Sequence, residues 1–168
     1  GQFDAIEDLT FIGYPNGIAD PKNHTPIVRR AITATWLGAP FGGAPTFMLD
    51  GSVFGGSSGS PVFIFNNTGW ADSQGNINMG TRIFLVGIIA ASAQDRQELP
   101  VQGLPAAPAP LITLGMPSPP APSAPPFVRV AHALNLGYAF STIAIGETIN
   151  HLLSANGLPT GTGLKPYT

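Results

Sequence analysis

The chain has 168 residues, of which glycine (21) and proline (18) make up almost a quarter, while charged side chains account for 10% and hydrophobic ones for 43%. That hydrophobic share excludes a disordered chain, and the surplus of glycine and proline over helix formers predicts one all-β domain of short strands and turns. Seven basic against nine acidic residues, with no basic run, argue against nucleic acid as a partner. No apolar run approaches the roughly 18 residues of a membrane span, so no membrane partner is expected. The absence of cysteine excludes disulfides, thiolate nucleophiles and cysteine metal sites.

The chain opens Gly1-Gln2-Phe3 without an initiating methionine, which reads as a processed start with more sequence expected upstream. Leu9-Thr10-Phe11-Ile12 predicts a first strand, stopped by Gly13-Tyr14-Pro15-Asn16-Gly17, where proline and Asn-Gly supply the φ values of a reversal. The β-branched run from Ile27 through Arg29 and Arg30 to Trp36 predicts a long second strand. Residues 46–49 and Pro61-Val62-Phe63-Ile64-Phe65 predict a third and a fourth. Residues 81–91 are apolar on both faces, which predicts a central strand, and residues 128–130 and 137–140 complete the set. Ser141 or Thr142 then caps a helix whose Ile143, Ile149, Leu152 and Leu153 recur at near-helical spacing, and Asn156-Gly157-Leu158-Pro159 stops it.

Residues 100–126 hold ten prolines and no charged side chain. Proline lacks the ladder donor and blocks the helix, so this stretch predicts a long inserted surface loop of polyproline II character. A docking site for a proline-reading module is the alternative.

The stretch that carries chemistry is Asp50-Gly51-Ser52-Val53-Phe54-Gly55-Gly56-Ser57-Ser58-Gly59-Ser60-Pro61-Val62-Phe63, a glycine-dense turn running straight into an apolar strand. Such a turn places a serine hydroxyl at an exposed tip and frees neighbouring backbone N–H groups to point into the same space. A nucleophile beside convergent donors is what acyl transfer needs. The loop lacks the lysine and following helix of a phosphate-binding loop, which disfavours phosphate.

Gly56-Ser57-Ser58-Gly59-Ser60-Pro61-Val62 resembles the nucleophile motif of the trypsin-like serine peptidases, and its Ser-Gly-Ser-Pro-Val variant is similar to that of bacterial glutamyl-endopeptidase-like members. The blocks around Phe11–Gly17, Pro26–Thr35, Phe47–Asp50, Leu85–Ile89 and Gly137–Phe140 look like the same family and stand in the same order. The resemblance covers residues 7–155 and implies the second, six-stranded antiparallel barrel of that fold, with a C-terminal helix and the proline-rich insertion. It makes Ser58 the catalytic nucleophile and the N–H groups of Gly56 and Ser58 the oxyanion hole. Ser52 falls at the base of the primary specificity pocket, which implies a neutral or small preferred side chain rather than a basic one. Ala90, Ala91 and Ser92 line the edge that binds peptide or protein substrate. Ser57 stands where animal members carry an aspartate that captures a new N-terminus, so activation by that route is not expected.

In that family the triad histidine and aspartate precede the serine and lie on an N-terminal barrel. Only 57 residues precede Ser58 here, and Leu9–Gly13 already resembles the opening strand of the second barrel. The expectation is therefore a C-terminal half whose missing N-terminal barrel is a partner, the isolated chain being inactive and prone to self-association. His24, His132 and His151 are not assigned to the triad; they have no metal-ligand spacing, and neither metal nor cofactor is expected. The alternative reading is a non-catalytic peptide- or protein-binding module derived from a peptidase.

Overall fold

The period-two alternation of the short runs becomes the inner and outer face of a closed barrel in the computed structural model, which describes residues 3–72, 74–101 and 127–161. The strands are β1 (Asp8–Gly13), β2 (Ile27–Thr33), β3 (Thr46–Asp50), β4 (Pro61–Asn66), β5 (Gly69–Ala71), β6 (Ile77–Met79), β7 (Arg82–Pro100) and β8 (Phe127–Ser141), with helix α1 (Thr142–Ala155) after them. Six close in the order β1-β2-β3-β8-β7-β4, and β5 pairs with β6 in a separate ribbon. The all-β class, the six-stranded antiparallel barrel and the C-terminal helix are as the sequence predicts.

The chain divides into two compact units, Gly1–Ala93 with Ala133–Thr168, and Gln94–His132. The first holds the barrel. In the second, Arg129 Nε donates to Glu98 Oε1 at 2.9 Å and the guanidinium lies over the Phe127 ring at 5.2 Å. Residues 102–126, and with them the polyproline II expectation, lie outside the described residues.

Leu9 and Phe11 of β1, Phe47 and Leu49 of β3, Val62 and Ile64 of β4, Val86 and Ile89 of β7 and Ala139 of β8 are each at most 2% exposed. Every such side chain stabilises the fold by about 1.5–3 kcal/mol if it is a valine, leucine, isoleucine or phenylalanine. At the end where β1 begins, the barrel carries a buried ion pair: Arg82 Nη2 lies 2.6 Å from Glu7 Oε2, with both side chains at most 6% exposed. Arg82 also donates from Nε to Asn66 Oδ1 at 2.8 Å and sits 5.1 Å over the Trp70 ring. Glu7 accepts from the Asp4 N–H at 2.9 Å, and Phe3 meets Phe84 edge-on at 5.5 Å, so residues 3–7 are fastened to this end.

Four predicted strands differ from those observed. The second strand ends at Thr33 rather than Trp36, because Ala34 and Thr35 both turn their N–H groups to the Met48 carbonyl (2.9 and 3.2 Å) and leave the ladder with β1. The run 81–91 is not central but one wall of the barrel, extended to Pro100. A register shift opposite Val62 and Phe63 switches its inward side, so Phe84 and Val86 face the core before it and Ile89 after it, while Ile83 stays 59% exposed. That switch is why the run reads as apolar on both faces. Residues 128–130 and 137–140 belong to one strand, β8, which passes through Asn135 at φ 57°. The β5–β6 ribbon has no counterpart in the sequence expectations. Its connection is held by the Asp72 carboxylate, which accepts from the Gln74 and Asn76 N–H groups at 3.0 and 2.9 Å. At the other extreme of the chain the prediction holds: the Ser141 hydroxyl accepts from the Ala144 N–H at 3.5 Å, and Gly157 at φ 67° follows the helix.

Candidate functional site

Between β3 and β4 the chain makes two successive tight turns. In the first the Ser57 N–H donates to the Phe54 carbonyl at 3.1 Å, and in the second the Ser60 N–H donates to the Ser57 carbonyl at 3.1 Å. Each has a glycine at its third position, Gly56 at φ 82° and Gly59 at φ 84°, the left-handed conformation that side chains resist. Ser58 is the second residue of the second turn, three positions before β4 begins at Pro61.

Four backbone contacts seat this double turn. The Gly59 N–H donates to the Ile89 carbonyl at 2.8 Å, and the Ile89 N–H donates to the Ser60 carbonyl at 2.9 Å. The Asn16 N–H donates to the Gly55 carbonyl at 2.6 Å, so the Pro15–Gly17 turn that follows β1 buttresses the other side. The approach there is close: a methyl group on Gly56 would come to 2.7 Å from the Tyr14 carbonyl oxygen. Upstream, the Gly51 N–H donates to the Asn135 carbonyl at 2.7 Å, which ties the entrance of the loop to β8.

The three serines of the motif are not equivalent. Ser57 is 1% exposed and its Oγ has no hydrogen-bond partner among the described residues; Ser60 is 6% exposed. Ser58 alone of the three is exposed, and its hydroxyl donates to the Ala90 carbonyl of β7 at 3.1 Å. The backbone N–H groups of Gly56 and Ser58 take no partner among the described residues. The structure thus brings together Ser58, Gly56 and Ala90. On β7 the ladder with β4 ends at Pro61↔Ile88, so Ala91 and Ser92 lie beyond it. Ser52 is half-buried just after β3 and makes no hydrogen bond to the Ser58 turn among the described residues.

None of the three histidines bonds to Ser58. His24 lies exposed in a loop at φ 54°, its carbonyl accepting from the Tyr14 hydroxyl at 3.3 Å; His132 is in the second unit and His151 is exposed on α1. Among the described residues no cluster of histidine, cysteine, aspartate and glutamate has the makings of a metal site. A groove of about 780 Å³ lies elsewhere, on the outer wall between Thr10, Val28, Arg30, Phe63, Phe65 and Ile83. It contains no residue of the Ser58 turn, and its charges are spent on the Arg30–Asp8 pair at 3.5 Å.

Comparison with family models, with curated proteins and with solved structures finds no match. The site therefore rests on its own geometry: an exposed hydroxyl on a turn with two left-handed glycines, the Gly56 and Ser58 N–H groups without a partner among the described residues, and a strand, β7, whose pairing with β4 ends next to it. Sequence reasoning missed one residue at this end of the barrel. The Arg29 guanidinium lies 4.9 Å over the Phe54 ring and 5.8 Å over Phe11. The signal was present, since Arg29 shares the inward phase of β2 with Ala31 and Thr33, both buried.

Proposed function

We propose that this chain is the nucleophile-bearing half of a trypsin-like serine endopeptidase. The observation that carries the reading is Ser58: the exposed serine of its motif, held between two left-handed glycines, with the N–H groups of Gly56 and of Ser58 itself unpartnered among the described residues. A substrate carbonyl placed against those donors has its developing oxyanion stabilised as Ser58 Oγ attacks, and one such donor is worth about 2.7–4 kcal/mol of barrier. The peptide lies extended along Ala90, Ala91 and Ser92, where β7 has no partner strand from β4.

Ser58 Oγ donates to a carbonyl and not to an imidazole, so the base must come from a domain this chain does not contain. A serine without its base is a weak nucleophile, and the 168-residue chain alone leaves casein intact. When a histidine-bearing first barrel is supplied, a fluorophosphonate probe labels Ser58, and Ser58→Ala abolishes the labelling. Labelling at Ser57 or Ser60, or casein turnover by the chain alone that Ser58→Ala removes, overturns the assignment. The same Ala90 bond also favours a second reading, a peptide-binding module that kept the edge and lost the chemistry. That module binds peptide with Ser58 unlabelled in every context.

A further inference from the structure

The Gly56 N–H is half of the donor pair beside Ser58, and the turn that carries it does not by itself fix where it points. In the turn closed by the Ser57 N–H on the Phe54 carbonyl, Gly56 at the third position has φ 82° and Gly55 at the second is not left-handed, the pattern of a type II turn. A type I turn differs from it by a half-rotation of the middle peptide, here Gly55–Gly56, with the ends of the turn nearly in place. Two glycines accept both forms. The Ser58 N–H is fixed locally instead, because the carbonyl of its own peptide, that of Ser57, is held by the Ser60 N–H inside the second turn.

What selects the form at Gly55–Gly56 comes from far upstream: the Asn16 N–H donates to the Gly55 carbonyl at 2.6 Å. The carbonyl and N–H of a trans peptide point in opposite directions. Holding the carbonyl on the Asn16 side therefore leaves the Gly56 N–H facing away from it, where it has no partner among the described residues. The same turn lies against Gly56, since an added methyl would meet the Tyr14 carbonyl oxygen at 2.7 Å, the Asn16 nitrogen at 3.1 Å and the Gly17 nitrogen at 3.3 Å. Asn16 presents its N–H from φ 52°, a left-handed conformation that asparagine bears better than most residues with a side chain. Buried Pro15 and the Tyr14 hydroxyl, which donates to the His24 carbonyl at 3.3 Å, anchor the turn, while Asn16 itself is exposed.

We propose that Asn16 is a positioning residue of the Ser58 site: its N–H latches the Gly55–Gly56 peptide in the orientation that offers the Gly56 N–H to a developing oxyanion. This rests on the peptidase reading of Ser58. The latch lies wholly within this chain, so the donor pair forms without a first barrel.

The test uses the 168-residue chain with imidazole in the buffer as a soluble base and a fluorophosphonate as the probe, followed by peptide-resolved mass spectrometry. Ser58 Oγ bonds to phosphorus, fluoride leaves, and the hydroxyl proton passes to imidazole, while the phosphoryl oxygen faces the two N–H groups. One such donor carries roughly 10²–10³ in rate. Asn16→Val, whose β-branched side chain resists φ 52°, slows labelling at least about tenfold. Asn16→Gly accepts that φ and stays within about twofold of the native rate. Asn16→Ala falls between them, and it decides the case if Asn16→Val does not fold. By NMR, a scalar coupling from the Asn16 nitrogen to the Gly55 carbonyl carbon is present in the native chain and in Asn16→Gly and is lost in Asn16→Val. The two failures are separable. If Ser58 is labelled but the coupling is absent from the native chain or persists in Asn16→Val, if Asn16→Ala matches the native rate, or if Asn16→Gly is as slow as Asn16→Val, the latch falls alone. If the native chain is not labelled at Ser58, the peptidase reading falls and takes the latch with it.

Discussion

The ion pair between Glu7 and Arg82 joins residues 75 apart in sequence, and its removal is the sharpest test of how the barrel is held closed. In Glu7→Ala the Arg82 guanidinium remains at 6% exposure with its carboxylate gone, keeping only Asn66 Oδ1 and the Trp70 ring. Leaving a buried charge unpaired costs about 3–5 kcal/mol, against a total of about 5–15 kcal/mol for a domain of this kind. The substitution also frees the Asp4 N–H, whose partner is Glu7 Oε1, while Thr33 still holds the backbone of residues 5 and 7. Asp8→Ala is the control one residue away. Its partner Arg30 lies at 3.5 Å with side chains 76% and 54% exposed, and such a pair is worth at most about 1 kcal/mol. Urea unfolding followed by far-UV circular dichroism separates the two. Glu7→Leu combined with Arg82→Met, which removes both charges at once, regains most of the loss. A cost below about 1 kcal/mol for Glu7→Ala, or equal costs for Glu7→Ala and Asp8→Ala, refutes the reasoning.

Gly56→Ala places a methyl 2.7 Å from the Tyr14 carbonyl oxygen at a φ of 82°; it costs about 1–3 kcal/mol by the same unfolding assay and, on the proposed peptidase reading, removes the fluorophosphonate labelling expected at Ser58 once a first barrel is supplied. Gly13→Ala drives a methyl into Ser60 Oγ and destabilises by about 1–3 kcal/mol, a loss that Ser60→Ala partly relieves in the double variant; additive losses count against the contact. Ile64→Ala in the core costs about 2–5 kcal/mol, and a value near zero places Ile64 outside the barrel. The Asp72 carboxyl titrates below its ordinary 3.8, chiefly because the Asn76 backbone N–H and then the Asn76 side chain donate to the charged form. A folded-state value below the unfolded one means a contribution present above the unfolded value and lost as pH falls through the folded one. NMR cross-peaks of the β5–β6 ribbon therefore hold to below pH 3.8 and then weaken; an Asp72 midpoint at or above 3.8 contradicts this.

What the sequence by itself determined is local. Short apolar runs broken by turn residues at 9–12, 46–49 and 61–65 settle strands, because such runs favour the extended chain and the turns bound them. Pro15-Asn16-Gly17, Gly56 and Gly59 settle turns, because φ values are a property of the residue, and Ser141 settles the start of the helix because its hydroxyl accepts an N–H of the first turn. The Ser58 turn was legible on that account. The tertiary structure decided whatever depends on partners far along the chain. Only closure of β1 against both β2 and β4 brings Asn16 to Gly55, and only the register of β7 on β4 brings Ala90 to Ser58. The same closure buries Ser57 and exposes Ser58, a distinction that two adjacent serines do not carry in their identity. Arg29 among phenylalanines and Arg82 against Glu7 follow from which strands face each other across the barrel. An arginine in a strand is an ordinary surface residue until the opposite wall is known; desolvation by that wall turns its charge into a structural or functional commitment.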